Sequence, residues 1–85
     1  MKKAPCRVVI TLTGYSRKTE KLVYERAIPE KHWLMVARSL GLRAARDIYA
    51  VHPAKESTVK MCSSFLEEPL DDQLDYFIEA TALQS

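Results

Sequence analysis

Eighty-five residues accommodate one small domain, whose single core buries roughly 60 to 65% of the surface that the unfolded chain exposes. A composition of 47% hydrophobic and 28% charged residues, with two Gly and four Pro, excludes disordered and collagen-like chains. The formal charge of +2 excludes a strongly acidic or basic protein, but it conceals a division along the chain. Met1 to Arg46 carries eleven basic and three acidic residues, a balance of +8, whereas Asp47 to Ser85 carries two and eight, a balance of −6.

Arg7 to Thr13 is rich in β-branched residues and alternates, with Val8, Ile10 and Leu12 on one face, which predicts a strand. Gly14 to Thr19 is polar and reads as a loop. Glu20 to Arg26 alternates again, with Leu22 and Tyr24 opposing Val23 and Glu25, so the two strands form a hairpin. Pro29 suits a first helical position, Glu30 the positive end of a helix dipole, and Gly41 the left-handed position after the last turn. Between them Trp33, Val36, Ala37 and Leu40 make one apolar stripe, which predicts a helix over Glu30 to Leu40.

Leu42 to Asp47 fits either an extended helix or a strand. Ile48 to His52 reads as a short strand stopped by Pro53. A second helix is expected from Ala54 to about Glu67, with Val59, Cys62, Phe65 and Leu66 on its buried side, ended by Pro69. Ser57, Thr58, Ser63 and Ser64 weaken it, because their hydroxyls compete for backbone groups. After an acidic loop, Asp75 to Thr81 reads as the last strand. The order is ββαβαβ in one domain over residues 1–85. The fold class is therefore α+β, a roughly four-stranded and mostly antiparallel sheet with one or two helices packed on one face.

Lys2 and Lys3 imitate the basic start of a signal peptide, but the apolar run Val8 to Leu12 is too short and lacks a cleavage site. No run approaches the ~18 apolar residues of a membrane span, and a cytoplasmic protein is expected. Cys6 and Cys62 stand 56 positions apart without a CxxC pattern or a neighbouring histidine. Two reduced thiols are the expectation, with a single disulfide as the alternative.

Nothing in the chain points to catalysis, a metal or a cofactor. His32 and His52 are the only groups suited to acid–base work near neutral pH, and neither has a nucleophile or carboxylate at a partnering distance in sequence. His52 reads as a turn residue and His32 as a surface or boundary residue. Gly14 and Gly41 are isolated, so no phosphate loop exists.

Binding is the remaining class. The cations from Lys2 to Arg46, with Tyr15 and Tyr24 among them, could neutralise phosphates and stack bases. Against that reading stand interleaved acids at Glu20, Glu25 and Glu30 and the lack of any RNA- or DNA-binding motif. The acidic half is less mixed: Met61 to Ser85 carries Glu67, Glu68, Asp71, Asp72, Asp75 and Glu79, no basic residue, and the aromatics Tyr76 and Phe77. This pattern suits a docking surface for a basic protein, in which charge speeds encounter and buried aromatics set dissociation.

Three stretches, Leu12 to Glu20 (LTGYSRKTE), Ser39 to Gly41 (SLG) and Asp75 to Glu79 (DYFIE), occur in an order and spacing that resembles the cloacin immunity family, the small inhibitors of ribonuclease-type colicins. The resemblance covers most of the chain. It implies a twisted antiparallel sheet with little helix, and a cytosolic protein that binds its own toxin's nuclease domain without chemistry. It aligns Tyr15 with an aromatic before the hairpin turn, Glu20 with an acid after it, and Tyr76 and Phe77 with a pair in the final strand. The chain departs from the family in its charge of +2, in Ser16 where the family has Asp, and in its stronger first helix.

The expected function is thus that of an immunity protein. Tyr15, Glu20, Glu67, Glu68, Asp71, Asp72, Asp75, Tyr76 and Glu79 are the expected contacts, and they would occlude the basic substrate site of a toxin nuclease. The alternative is a small nucleic-acid-binding or regulatory module that uses the basic half. A homodimer formed by pairing the two oppositely charged halves is a third reading.

Overall fold

The computed structural model describes residues 7–83. Six elements follow in order: β1 (Arg7–Ser16), β2 (Leu22–Ala27), α1 (Trp33–Ser39), β3 (Ala50–Pro53), α2 (Glu56–Leu66) and β4 (Leu74–Leu83). The strands form one sheet in the order β2-β1-β4-β3 with every pairing antiparallel. This is the expected α+β arrangement, and β1 and β4 make its centre.

Alternation along β1 sends Ile10 and Leu12 to one face, where they are almost wholly buried. Ile78 and Tyr76 of β4 join them there, as do Val36 and Ala37 of α1, Cys62 of α2, and Ile28 and Ile48 from the connections. Both helices therefore cover the same face. Each buried Ile or Leu side chain contributes roughly 1.5 to 3 kcal/mol by leaving water, so this cluster of nine is the main source of stability. The Cys62 thiol is fully buried, and burial pushes its pKa up to about 11. It packs as a small hydrophobe. Cys6 lies outside the described residues.

Both helices end in the same device. Gly41, at φ 85°, donates its N–H to Arg38 O at 3.0 Å while Leu42 reaches back to Ala37 O at 2.9 Å. At the end of α2, Glu67 takes the left-handed position, at φ 56°, with its N–H on Ser64 O and that of Glu68 on Ser63 O. These are Schellman closures. The hydroxyls expected to weaken α2 are put to use. The Ser63 hydroxyl donates to Glu68 O at 2.6 Å, and buried Thr58 shares a 2.8 Å hydrogen bond with Ser39 of α1.

The ambiguous segment after α1 is a loop with a 3-10 turn over Ala45–Asp47. That turn delays β3 to Ala50, although Ile48 still enters the core. Pro53 is the last residue of β3, where an edge strand tolerates its missing N–H. His52, expected in a turn, instead lies within β3 opposite Ile78 and is half-buried.

The largest correction concerns the hairpin. Gly14 to Thr19 does not form the loop, because β1 runs on through Ser16 and the turn occupies Arg17 to Lys21. Gly14 is a buried strand residue on which the Tyr24 and Tyr76 rings meet edge to face, centroids 5.9 Å apart. A Cβ there would stand 2.9 Å from Tyr76 Cε1, 3.1 Å from Leu74 Cδ1 and 3.2 Å from Tyr24 Cβ. Neither ring is free to retreat. The Tyr24 hydroxyl donates to Glu68 at 2.7 Å, and the Tyr76 hydroxyl accepts the Asp71 N–H at 2.8 Å. Gly14→Ala should therefore cost about 1 to 3 kcal/mol by overpacking, read as a lower urea midpoint with an unchanged slope. In the opposite direction, Glu67→Gly should gain roughly 0.5 to 1 kcal/mol by relieving the left-handed backbone. Thermal melts of the two variants beside the parent check both signs.

Candidate functional site

Among the described residues no helix lies over the second face of the sheet. β1 places Thr11, Thr13 and Tyr15 there, and β4 places Asp75, Phe77 and Glu79 beside them through the pairings Thr11 with Glu79, Thr13 with Phe77 and Tyr15 with Asp75. β3 adds Val51, opposite Glu79, and β2 adds Glu25, opposite Thr13. The register between β1 and β2 shifts after Gly14, so that Leu22 comes opposite Tyr15 and Val23 is passed over. Simple alternation in β2, with Leu22 sharing a face with Tyr24, is broken there. Leu22 and Val23 both stand exposed.

Glu79 is the organised polar group of this face. Its Oε2 accepts the Thr13 hydroxyl at 2.8 Å and the Tyr15 hydroxyl at 3.0 Å. The bond to Glu79 holds the phenolic proton on Tyr15 and raises its pKa, with burial adding to the effect. The Tyr15 ring meets Phe77 edge to face, 5.6 Å between centroids and 81° between planes. At the hairpin, the Ser16 hydroxyl accepts the N–H groups of Lys18 and Thr19 at 3.2 and 3.3 Å. This is the role that Asp would also play in such a turn. The turn sets Arg17 against Asp75 at 2.9 Å and holds Glu20 at φ 61°.

Together these residues line an open hollow of about 440 Å³, walled by Tyr15, Ser16, Arg17, Glu20, Val51, Asp75, Phe77 and Glu79. A second hollow, of about 490 Å³, lies around the sheet end. It shares Arg17, Asp75 and Phe77 with the first and adds Asp71 and Asp72. Among these groups the carboxylates outnumber the cations.

Four of the expected contacts, Tyr15, Glu20, Asp75 and Glu79, thus converge on one hollow, with Asp71 and Asp72 next to it. Three do not. Tyr76 is buried on the helix side, where its hydroxyl holds the acidic loop through the Asp71 N–H. Glu67 closes α2, and Glu68 is tied to Tyr24 and to Arg26 at 3.3 Å. Phe77, rather than Tyr76, is the aromatic of the site. Period-two alternation carried that signal, since Phe77 shares the parity of Asp75 and Glu79. Thr13, Arg17 and Val51 were also not expected at the site. Their presence follows from pairings between residues distant in the chain, Thr13 with Glu79, Arg17 with Asp75 and Val51 with Glu79.

The two charged halves of the chain are not two separate surfaces. Arg17 meets Asp75, and Arg26 meets Glu68, because β1 and β2 are laid against β4 and the loop before it. His32 stacks on Phe65 with centroids 4.1 Å apart, and the buried Nε2 of His52 has no hydrogen-bond partner among the described residues. Among the described residues no group of three or more His, Cys, Asp or Glu side chains could hold a metal ion. No helix among them is long and apolar enough to cross a membrane. In comparisons with known proteins the chain matches no family model, no curated protein and no solved structure.

The Tyr24 hydroxyl, and after it Arg26, holds the Glu68 carboxyl below its ordinary pKa of 4.5 against the opposing effect of burial. A depressed carboxylate stabilises the fold at pH values above the unfolded pKa, and this contribution is lost as pH falls through the folded one. The melting temperature of the parent should therefore fall more steeply below about pH 4.5 than that of Glu68→Gln. Thermal melts from pH 7 to 3 measure the difference, and parallel curves would remove Glu68 from the acid response.

Proposed function

We propose that the protein is a cytoplasmic immunity protein that uses the uncovered face of its sheet to occlude a basic site on a toxin nuclease. The observation that carries this reading is the hollow itself. It combines aromatic and aliphatic walls, Tyr15, Phe77 and Val51, with the carboxylates Glu20, Asp75 and Glu79 on a surface that no element of the described chain covers. Apolar walls supply the desolvated contact that slows dissociation, and the carboxylates steer a cationic surface toward it. The nuclease would then lose access to its polyanionic substrate by steric exclusion and by the acidic charge placed over its active site. No bond to the partner is made or broken. The resemblance of the chain to the cloacin immunity family supports the same reading.

The features of the site weigh against the nucleic-acid alternative. Tyr15, an aromatic wall of the hollow, has Glu79 bonded to its hydroxyl, and a carboxylate there repels a phosphate backbone. The one cation of the hollow, Arg17, stands against the three carboxylates Glu20, Asp75 and Glu79.

Co-expression with nuclease-toxin domains encoded in the same genome tests the proposal, with cell survival as the readout. The triple reversal Glu20→Lys, Asp75→Lys, Glu79→Lys should abolish protection and slow association at least about tenfold, with circular dichroism confirming a folded chain. Glu79→Gln, a milder change, should weaken protection without loss of fold. Full protection by the folded triple variant would refute docking through this face. Salt-sensitive binding of total RNA by the purified parent would favour the nucleic-acid reading.

A further inference from the structure

We propose that the hollow beside Tyr15 and Phe77 recognises the guanidinium of an arginine side chain on the partner, in preference to a lysine ammonium. The inference rests on the docking reading above and specifies what its central contact is.

Three features of the hollow favour a flat cation. Tyr15 and Phe77 stand nearly perpendicular, at 81°, and both line the hollow. A planar group seated in such a corner lies face-on to one ring and turns its own edge to the face of the other. Guanidinium groups gain from face-on stacking both as cations and as flat delocalised groups, whereas an ammonium gains only as a compact charge and is harder to strip of water.

The second feature is the placement of acceptors. Thr13 and Tyr15 both donate to Oε2 of Glu79, which fixes the carboxylate, while Oε1 receives no donor among the described residues. Among the described residues Asp75 receives Arg17 on Oδ1 alone, and the Glu20 carboxylate receives no donor. A fixed carboxylate with an open oxygen, flanked by two further acceptors, suits the fork of a guanidinium, which presents several donors in one plane. The third feature is Val51, more than half exposed at the same wall. It offers apolar surface for the methylene arm of the incoming side chain. Charge is complementary, since Glu20, Asp75 and Glu79 face the single cation Arg17 in the hollow.

The test uses the full chain labelled with nitrogen-15, titrated at low ionic strength with acetyl-Gly-Arg-Gly-amide and with its lysine counterpart. The expected result is amide shifts at Tyr15, Val51, Phe77 and Glu79, with the arginine peptide binding about fivefold more tightly. Phe77→Leu, which keeps an apolar side chain, should bring that ratio toward one, and Glu79→Gln should weaken both peptides. Equal affinities, a preference that survives Phe77→Leu, or shifts confined to other surfaces would overturn the assignment. Equal binding of both peptides in this hollow would remove the arginine preference while leaving a cation-docking face. An arginine preference without toxin protection would leave the recognition site and refute the immunity role.

Discussion

The pairing of β1 with β4 is the constraint on which the rest depends. Ten residues of each strand run antiparallel, from Arg7 opposite Leu83 to Ser16 opposite Leu74, and so bring the two ends of the described chain side by side. Closing so long a loop costs only slowly more than closing a short one. The burial of Ile10, Leu12 and Ile78 against the helices offsets that cost. The same burial fixes the register. A slip of one residue would turn these side chains to solvent and drive Thr13 and Glu79 toward the core. Core and site are therefore set by a single choice, one on each face of the same ladder.

Gly14 is where the two faces are joined. On the helix side its missing side chain makes room for Tyr24 and Tyr76, whose hydroxyls hold Glu68 and the acidic loop at Asp71. On the open side the register shifts immediately after it, at the step to Tyr15. Irregularities of this kind bend a strand and re-aim the next side chain. Here the bulged strand is β2, whose Leu22 is brought opposite Tyr15, while Tyr15 keeps the regular alternation of β1 and reaches across to Glu79. The residue that relieves crowding in the core thus stands next to the one that organises the hollow.

Much of this was legible in the sequence where the signal is local. The alternation of Val8, Ile10 and Leu12, the stripe from Trp33 to Leu40 and the stop at Gly41 all report on neighbours within a turn or a strand. What depends on distant pairing was not legible. Gly14 reads as a loop residue unless the tyrosines above it are known, and they come ten and sixty-two positions later in the chain. The charge division misled for the same reason. Counted in chain order it suggests two opposed surfaces, whereas antiparallel pairing laces the basic half into the acidic one at Arg17 with Asp75 and at Arg26 with Glu68. Tyr76 reads in sequence as a partner contact because its acidic neighbours hide its parity, which sends it to the helix side.

What survives of the charge pattern is a local excess, and the way each carboxylate is held decides its use. Asp75 is paired with Arg17, but both side chains are more than half exposed, at 55% and 58%. An exposed pair of this kind contributes about 0 to 1 kcal/mol, so an incoming cation can share or displace Arg17 at little cost. Glu79 is held differently. Its donors are two neutral hydroxyls, which orient the carboxylate without cancelling its charge. A carboxylate fixed in place by neutral groups attracts a cation as strongly as a free one and loses less conformational freedom when it binds. Within the hollow, Glu79 is therefore the anchor and Asp75 the exchangeable neighbour, although both contribute one negative charge to the total.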